Sequence, residues 1–564
     1  MQQSSLSRRA QAAAWDAFTP SLSGDVVLRT VIQAPLRRRS ALALPFLAAL
    51  PLTTGGSRQA VAQTGKTLNL AVAAPPTSLD PHYHTLSPNN MVAEHFFDKL
   101  VGRNAKAQLV PGLAESWKLV DDTTWEFKLR KGVKFSNGDE FTAEDVVFTL
   151  KRVPNVLNSP GSFSIYTKAI ESSEVVDPHT IRFKTRGVYP LLPQDLTQVF
   201  IISHSLGDHV STGDFNSGKA VIGTGPYQLV SFTPDDRVIM KRNDQYWGDK
   251  PDWAQVNYRF IPNDGVRVAA LLSGDVQMID VVPPNDMPRL RTTQGIAFSQ
   301  IPSLRCIYLK LDEAHDVSPY ITDHNGKPLD KNPLRDLRVR QALSFAINRQ
   351  GVVDRVMQGA AVPTGQMMPA GANGYADDLK PPPYDPERAK KLLAEAGYPQ
   401  GFNITLIGPN NRYVNDAQII QAIGQMWQRV GIKTSVDAIP FTVLAQRQAK
   451  NDLSAMLIGW ATTGEPSTAL KSVLMTRNTD KGFGTTNFSG YSNKEVDALV
   501  EKGLGTADDE KREDIFKQAM RMAMDDVGVV PLHMQMNIWA LRGGLTYEAR
   551  ADEYTVAMGV KSPA

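Results

Sequence analysis

Residues 337–348, 386–396 and 416–430 carry apolar side chains at helical spacing, and β-rich stretches at 404–407 and 455–459 alternate with them. Strand and helix in alternation specify an α/β lobe built of strand–helix units. Tyr384-Asp385-Pro386 strengthens the second helix, because proline at the first helical position after an Asp cap gives up an N–H that has no partner there anyway. The first half has a different texture. Short strands are expected at 68–72, 117–119, 124–129, 133–135, 181–184, 227–232, 238–242 and 256–261, with helices at 91–101 and 266–273. Another helix starts at Thr142, with Asp145 three residues on as a near match to a capping box. Helices at 495–504 and 510–526 and strands at 529–532 and 537–541 close the chain. The order implies a chain that leaves one lobe, builds a second and returns. Two lobes joined by crossing strands form a clamshell that closes by a hinge at a few residues.

Arg37, Arg38 and Arg39, the apolar run 41–51 and Ala60-Val61-Ala62 follow the order of a signal peptide, so residues 1–62 read as a leader with the signal peptide at 37–62. The apolar run is shorter than the roughly 20 residues that cross a bilayer, and no later stretch reaches that length without charges. Export by the general secretory route and by the twin-arginine route both fit. Without residues 1–62, which hold seven Lys/Arg and two Asp/Glu, the formal charge falls from +3 to −2. A near-neutral chain has no electrostatic footprint for nucleic acid or anionic lipid. The 502 residues that follow exceed what one core serves, so several domains are expected. Cys306, the only cysteine, cannot form an intramolecular disulfide and sits in an apolar stretch as a small buried hydrophobe.

Signatures of catalysis are missing: the sequence has no G-x-S-x-G, H-E-x-x-H, Walker loop or C-x-x-C. Gly223-Thr224-Gly225-Pro226-Tyr227 is glycine-rich, but a proline and a strand follow, so it reads as a turn and not a phosphate cradle. His82, His84 and His95 lie within fourteen residues, yet lack the spacing and cysteines of a metal site, and neither metal nor cofactor is expected. Trp460-Ala461-Thr462-Thr463-Gly464-Glu465-Pro466 follows directly on an apolar strand, which mounts an aromatic and several polar side chains on a rigid element.

Several stretches together resemble the extracellular solute-binding proteins of family 5, the peptide/nickel/opine group serving ABC importers. They are Leu109-Val110-Pro111-Gly112-Leu113-Ala114-Glu115-Ser116-Trp117, Leu129-Arg130-Lys131-Gly132-Val133-Lys134-Phe135, Phe141-Thr142-Ala143-Glu144-Asp145-Val146, the 223–227 turn, Arg338-Val339-Arg340-Gln341-Ala342-Leu343, and residues 384–391 before Ala396-Gly397-Tyr398. The resemblance implies a periplasmic-binding-protein clamshell of three domains. Domain I would be discontinuous (63–97, 215–312 and 530–564), domain II would span 98–214, and domain III, the second lobe, 313–529. It also implies a non-enzymatic, monomeric chain that captures di- or oligopeptides, or a modified peptide such as glutathione, and hands them to a permease and ATPase. Binders of nickel complexes, opines or oligosaccharides share the same fold, and a secreted hydrolase is the remote rival.

Peptide-binding members carry an Asp shortly after the second-lobe Gly-Trp that pairs with the ligand ammonium; here the matching position after Gly459-Trp460 is Thr463. A buried ammonium without a carboxylate is costly, so either Glu465 reaches in or the ligand is not a plain peptide with a free N-terminus. The segment from Trp460 to Glu465 looks closer to the glutathione-binding branch. Arg412 matches the place where some members hold a ligand carboxylate, the alternative being a solvated surface arginine. The expected site is therefore Trp460 packed on the ligand, Thr462, Thr463 and Glu465 as polar contacts, Arg412 on a carboxylate, and Tyr83, His84 and Thr85 lining the first-lobe side.

Overall fold

A computed structural model describes residues 66–562 apart from 161, 479 and 480; the expected leader at 1–62 lies outside the described residues. One mixed sheet of twelve strands runs through both halves of the molecule. Across it lie Ile321–Thr322, Asn403–Pro409, Ala455–Ala461, Ile296–Leu311, Val530–Arg542, Met278–Ile279, Thr67–Val72, Gln255–Phe260, Arg237–Arg242 and Tyr227–Thr233, in that order. Lys433–Ile439 and Ala361–Pro363 pair alongside. Two long antiparallel strands, Ile296–Leu311 and Val530–Arg542, occupy the middle and carry the chain between the halves.

Both faces of the central strands are covered, so their alternate residues enter different cores, while Gln255–Phe260 and Arg237–Arg242 towards one edge alternate buried with less buried side chains. Ile307, Leu309 and Leu311 join one second-lobe core with Leu406 and Trp427, while Cys306 and Tyr308 join the opposite one with Met456 and Phe516. In the first lobe, Leu68, Leu70 and Val72 face the core of Tyr258 and Trp539, and Ala71 faces that of Leu271 and Ala540. A separate four-stranded antiparallel sheet orders Ala114–Asp121, Thr124–Leu129, Thr180–Thr185 and Ile170–Asp177 over a core containing Phe127, Phe141 and Phe183. Cys306 is fully buried.

Most of the expected elements are present with shifted ends. The helix at Thr142 spans Ala143–Arg152 and has a full capping box, with Thr142 N–H donating to Asp145 at 2.8 Å. Pro386–Glu395 starts with the Asp385 carboxylate accepting from Arg388 N–H. Three expectations are corrected. The helix expected at 91–101 is Ser87–Ala93, because the carbonyls of His95 and Phe96 are taken by the N–H groups of Tyr227 and Gly225, which draws the chain out of helix. Residues 133–135 make only an isolated bridge, Lys134 with Glu140; the place in the sheet beside Thr124–Leu129 goes to Thr180–Thr185. The strands expected at 529–532 and 537–541 are one strand, Val530–Arg542. Among the described residues no helix is long and apolar enough to cross a membrane.

Candidate functional site

The pairing of the two long strands breaks where the chain passes between the lobes: Pro302 opposes Met536 and Cys306 opposes Met534, so Ser303, Leu304 and Arg305 stand against Gln535 alone. A bulge of this kind re-aims side chains and frees backbone groups for other partners. Leu304 N–H donates to Ala551 O at 3.0 Å, and Leu304 O accepts from Thr462 N–H at 3.1 Å. The C-terminal segment and the second-lobe loop are thereby tied to the same residue. Around this junction lies a cavity of about 110 Å³, walled by Thr85 of the first lobe, Arg103 and Gln198 from the 98–214 segment, Ser303 and Arg305 of the bulge, Thr462 and Thr463 of the second lobe, and Asp552 to Tyr554.

Its charges are organised in forks. Arg305 donates to Glu553 through Nε at 3.0 Å and Nη2 at 2.9 Å, and the Ser303 hydroxyl adds a third bond at 2.9 Å. Burial works against the Glu553 carboxylate, but Arg305 and Ser303 outweigh it and hold its pKa below the usual range. Beside it Arg550 holds Asp552 through Nε at 3.0 Å and Nη2 at 2.5 Å. Arg103, at the end of the strand Val101–Arg103, has a neutral neighbour: with its amide oxygen turned inward, Gln198 accepts from Nη2 at 2.5 Å and Nη1 at 3.2 Å.

Of the residues expected from sequence, Thr85, Thr462 and Thr463 line this cavity. Thr463 O accepts from Gln194 Nε2 at 2.5 Å, which links the 98–214 segment to the second lobe, while the Thr463 hydroxyl has no partner among the described residues. Next to it Gly464 has φ +86° and approaches Ala107 so closely that a Cβ would lie 2.8 Å from the Ala107 carbonyl. Tyr83 and His84 are half-buried on the same loop as Thr85; Tyr83 O accepts from the Ser159 hydroxyl, and burial lowers the His84 pKa. Trp460 packs against the second-lobe core and its indole N–H has no partner among the described residues. Arg412 is exposed and lies over the rings of Tyr413 and Phe441, outside the cavity wall, although its charge reaches Glu553.

Glu465 faces elsewhere. It lines a second cavity of about 160 Å³ with Trp117, Trp125 and Arg512, and its carboxylate accepts from the N–H and hydroxyl of Ser467. Burial pushes its pKa up to about 7 against the pull of those bonds. The neighbouring histidines His82 and His95 are bonded within the fold. His82 shares its ring nitrogens between Phe200 O and Arg152, and His95 between Met91 O and Ala557 N–H. Arg103, Gln198, Arg305, Asp552 and Glu553 were not singled out from sequence. Arg305 shares its strand with Ser299, Gln300, Ser303 and Lys310, so nothing in the sequence sets it apart.

A family model described as "Bacterial extracellular solute-binding proteins, family 5 Middle" matches residues 108–481. The dipeptide-binding protein of Escherichia coli (strain K12) is 31% identical over 453 residues, 74% of this chain and 79% of that protein. The glutathione-binding protein GsiB of the same strain is 30% identical over 495 residues, 85% of this chain and 91% of that protein. Among solved structures, HbpA2 from Haemophilus parasuis superposes with a TM-score of 0.76 at 23% identity, covering 88% of this chain and all of that one.

Proposed function

Because this chain belongs to family 5 of the bacterial extracellular solute-binding proteins, we propose that it captures a small peptide or modified peptide in the periplasm and delivers it to the permease and ATPase of an ABC importer. The observation that carries this reading is the cavity at the strand bulge, to which Thr85 from one lobe and Thr463 from the other both contribute. A ligand touching both lobes stabilises the closed form over the open one, and going from 1:99 to 99:1 needs about 5.5 kcal/mol of differential affinity. At about 110 Å³ the cavity is smaller than the roughly 300–1,000 Å³ of typical ligand sites, so entry of a peptide requires the lobes to part.

In this reading the protein works as a monomer without catalysis, and its domains are 63–97 with 215–312 and 530–564, 98–214, and 313–529. Separate cores around Trp427, Tyr258 and Phe127 support three domains, although Phe200 and Ile202 join the first-lobe core and Ile307, Leu309 and Leu311 that of the second. Thr85, Thr462 and Thr463 serve as direct ligand contacts, with Tyr83, His84 and Trp460 around them, and Arg412 at the rim. Native mass spectrometry of protein purified gently from its own periplasm tests the reading: a co-purifying mass in the peptide range, lost after unfolding and refolding, is expected. If nothing co-purifies, and metal complexes or opines raise the melting temperature of the refolded protein while peptides and glutathione do not, the reading fails.

A further inference from the structure

Four charged residues line the cavity at the bulge, and three are already engaged. Arg305 and Glu553 neutralise each other, and Asp552 is held by Arg550 just beside the wall. The fourth, Arg103, meets only the neutral amide of Gln198, and its Nε–H has no hydrogen-bond partner among the described residues. The acids near enough to influence it are committed elsewhere: Glu94 to Lys99, Asp552 to Arg550, and Asp195 to the Tyr189 hydroxyl. The hydroxyl of Thr463, another residue of the wall, is likewise unpartnered. Two donors of the wall therefore lack an acceptor, and the Arg103 charge has no ion-pair partner of its own there.

A plain zwitterionic peptide fits this wall poorly, since its ammonium finds both acids already paired and it carries no second carboxylate for Arg103. An added carboxylate matches the guanidinium fork in charge and geometry. Resting on the capture reading, we infer that the cleft selects peptide-like solutes carrying one more carboxylate than ammonium, with a carboxylate seated on Arg103 and within reach of the Thr463 hydroxyl.

The test is calorimetric titration of the refolded protein with Ala-Glu, Ala-Gln, Ala-Lys and reduced glutathione. Ala-Glu and glutathione are expected to bind about tenfold or more tightly than Ala-Gln, and Ala-Lys more weakly still. Raised salt narrows the gap. Arg103→Gln lowers affinity for the acids about tenfold while leaving Ala-Gln within about threefold, and Arg103→Lys recovers part of the loss. Equal binding of Ala-Glu and Ala-Gln, or a preference that survives Arg103→Gln, overturns the inference while capture itself stands. If no peptide of any charge binds, both fall together. Should Arg103→Gln lose its cooperative melt, the wild-type charge series with Arg103→Lys and Thr463→Val decides the matter.

Discussion

At Glu553 the backbone and the side chain work against each other. Its φ of +71° is a left-handed conformation that costs a non-glycine residue about 1–2 kcal/mol, and the three bonds to its carboxylate offset that cost. Glu553→Gln leaves the half-buried Arg305 charge without a counter-ion, so a loss of about 2 kcal/mol in urea unfolding is expected, with the conservative Glu553→Asp falling between. Glu465 predicts a pH effect. Its pKa is near 7 in the folded protein and 4.5 in a model peptide, so the protonated form is favoured by folding. Its contribution is complete below pH 4.5 and is lost as pH rises to 7. Buried His82, His95 and His533, with pKa values lowered to about 4, act in the opposite sense between 6.5 and 4. The difference between wild type and Glu465→Gln isolates the one carboxyl: between pH 5 and 7 the wild type should lose about 2 kcal/mol more than the variant. An unchanged pH profile would sink the assignment. The site was only partly legible at this scale. Thr462 and Thr463 announce themselves because they follow a strand directly, whereas Arg305 and Glu553 are more than two hundred residues apart and only the tertiary fold pairs them.

Among the elements, the helix at Pro386 was readable because cap, periodicity and length agree, and the one at Asp416 from periodicity and length without a side-chain cap. The segment after Ala93 was not, since its apolar spacing fits a helix while its carbonyls pair with residues 225–227, far along the chain. The Gly223–Gly225 turn is the other half of that contact. A Cβ on Gly223 would sit 2.0 Å from the Phe96 carbonyl and one on Gly225 2.5 Å from the Phe96 carbonyl carbon. Gly223→Ala should therefore cost about 3 kcal/mol or more, or prevent folding, as read by thermal melting, and a melt within a degree of wild type would contradict the close approach. The long strand Val530–Arg542 escaped a sequence reading for a related reason. His533, Gln535 and Asn537 interrupt the apolar run as turn residues would, yet His533 and Asn537 are buried at the lobe junction.

For the whole molecule, the two-lobed α/β order could be inferred from the change in texture along the sequence, but the continuity of one sheet through both lobes could not, because pairing between Ile296–Leu311 and Val530–Arg542 has no local signal. That continuity has a consequence for synthesis. Val530–Arg542 lies between Ile296–Leu311 and Met278–Ile279, in the middle of the sheet, although it is nearly the last segment to leave the ribosome. Neither half of the sheet can be completed until that segment arrives. A chain ended at residue 529 should lack a cooperative melt and be digested rapidly by protease, whereas a chain missing only residues beyond the strand should retain both lobes' sheet. A growing chain of this design therefore carries its largest sheet unjoined through the middle for almost its entire translation.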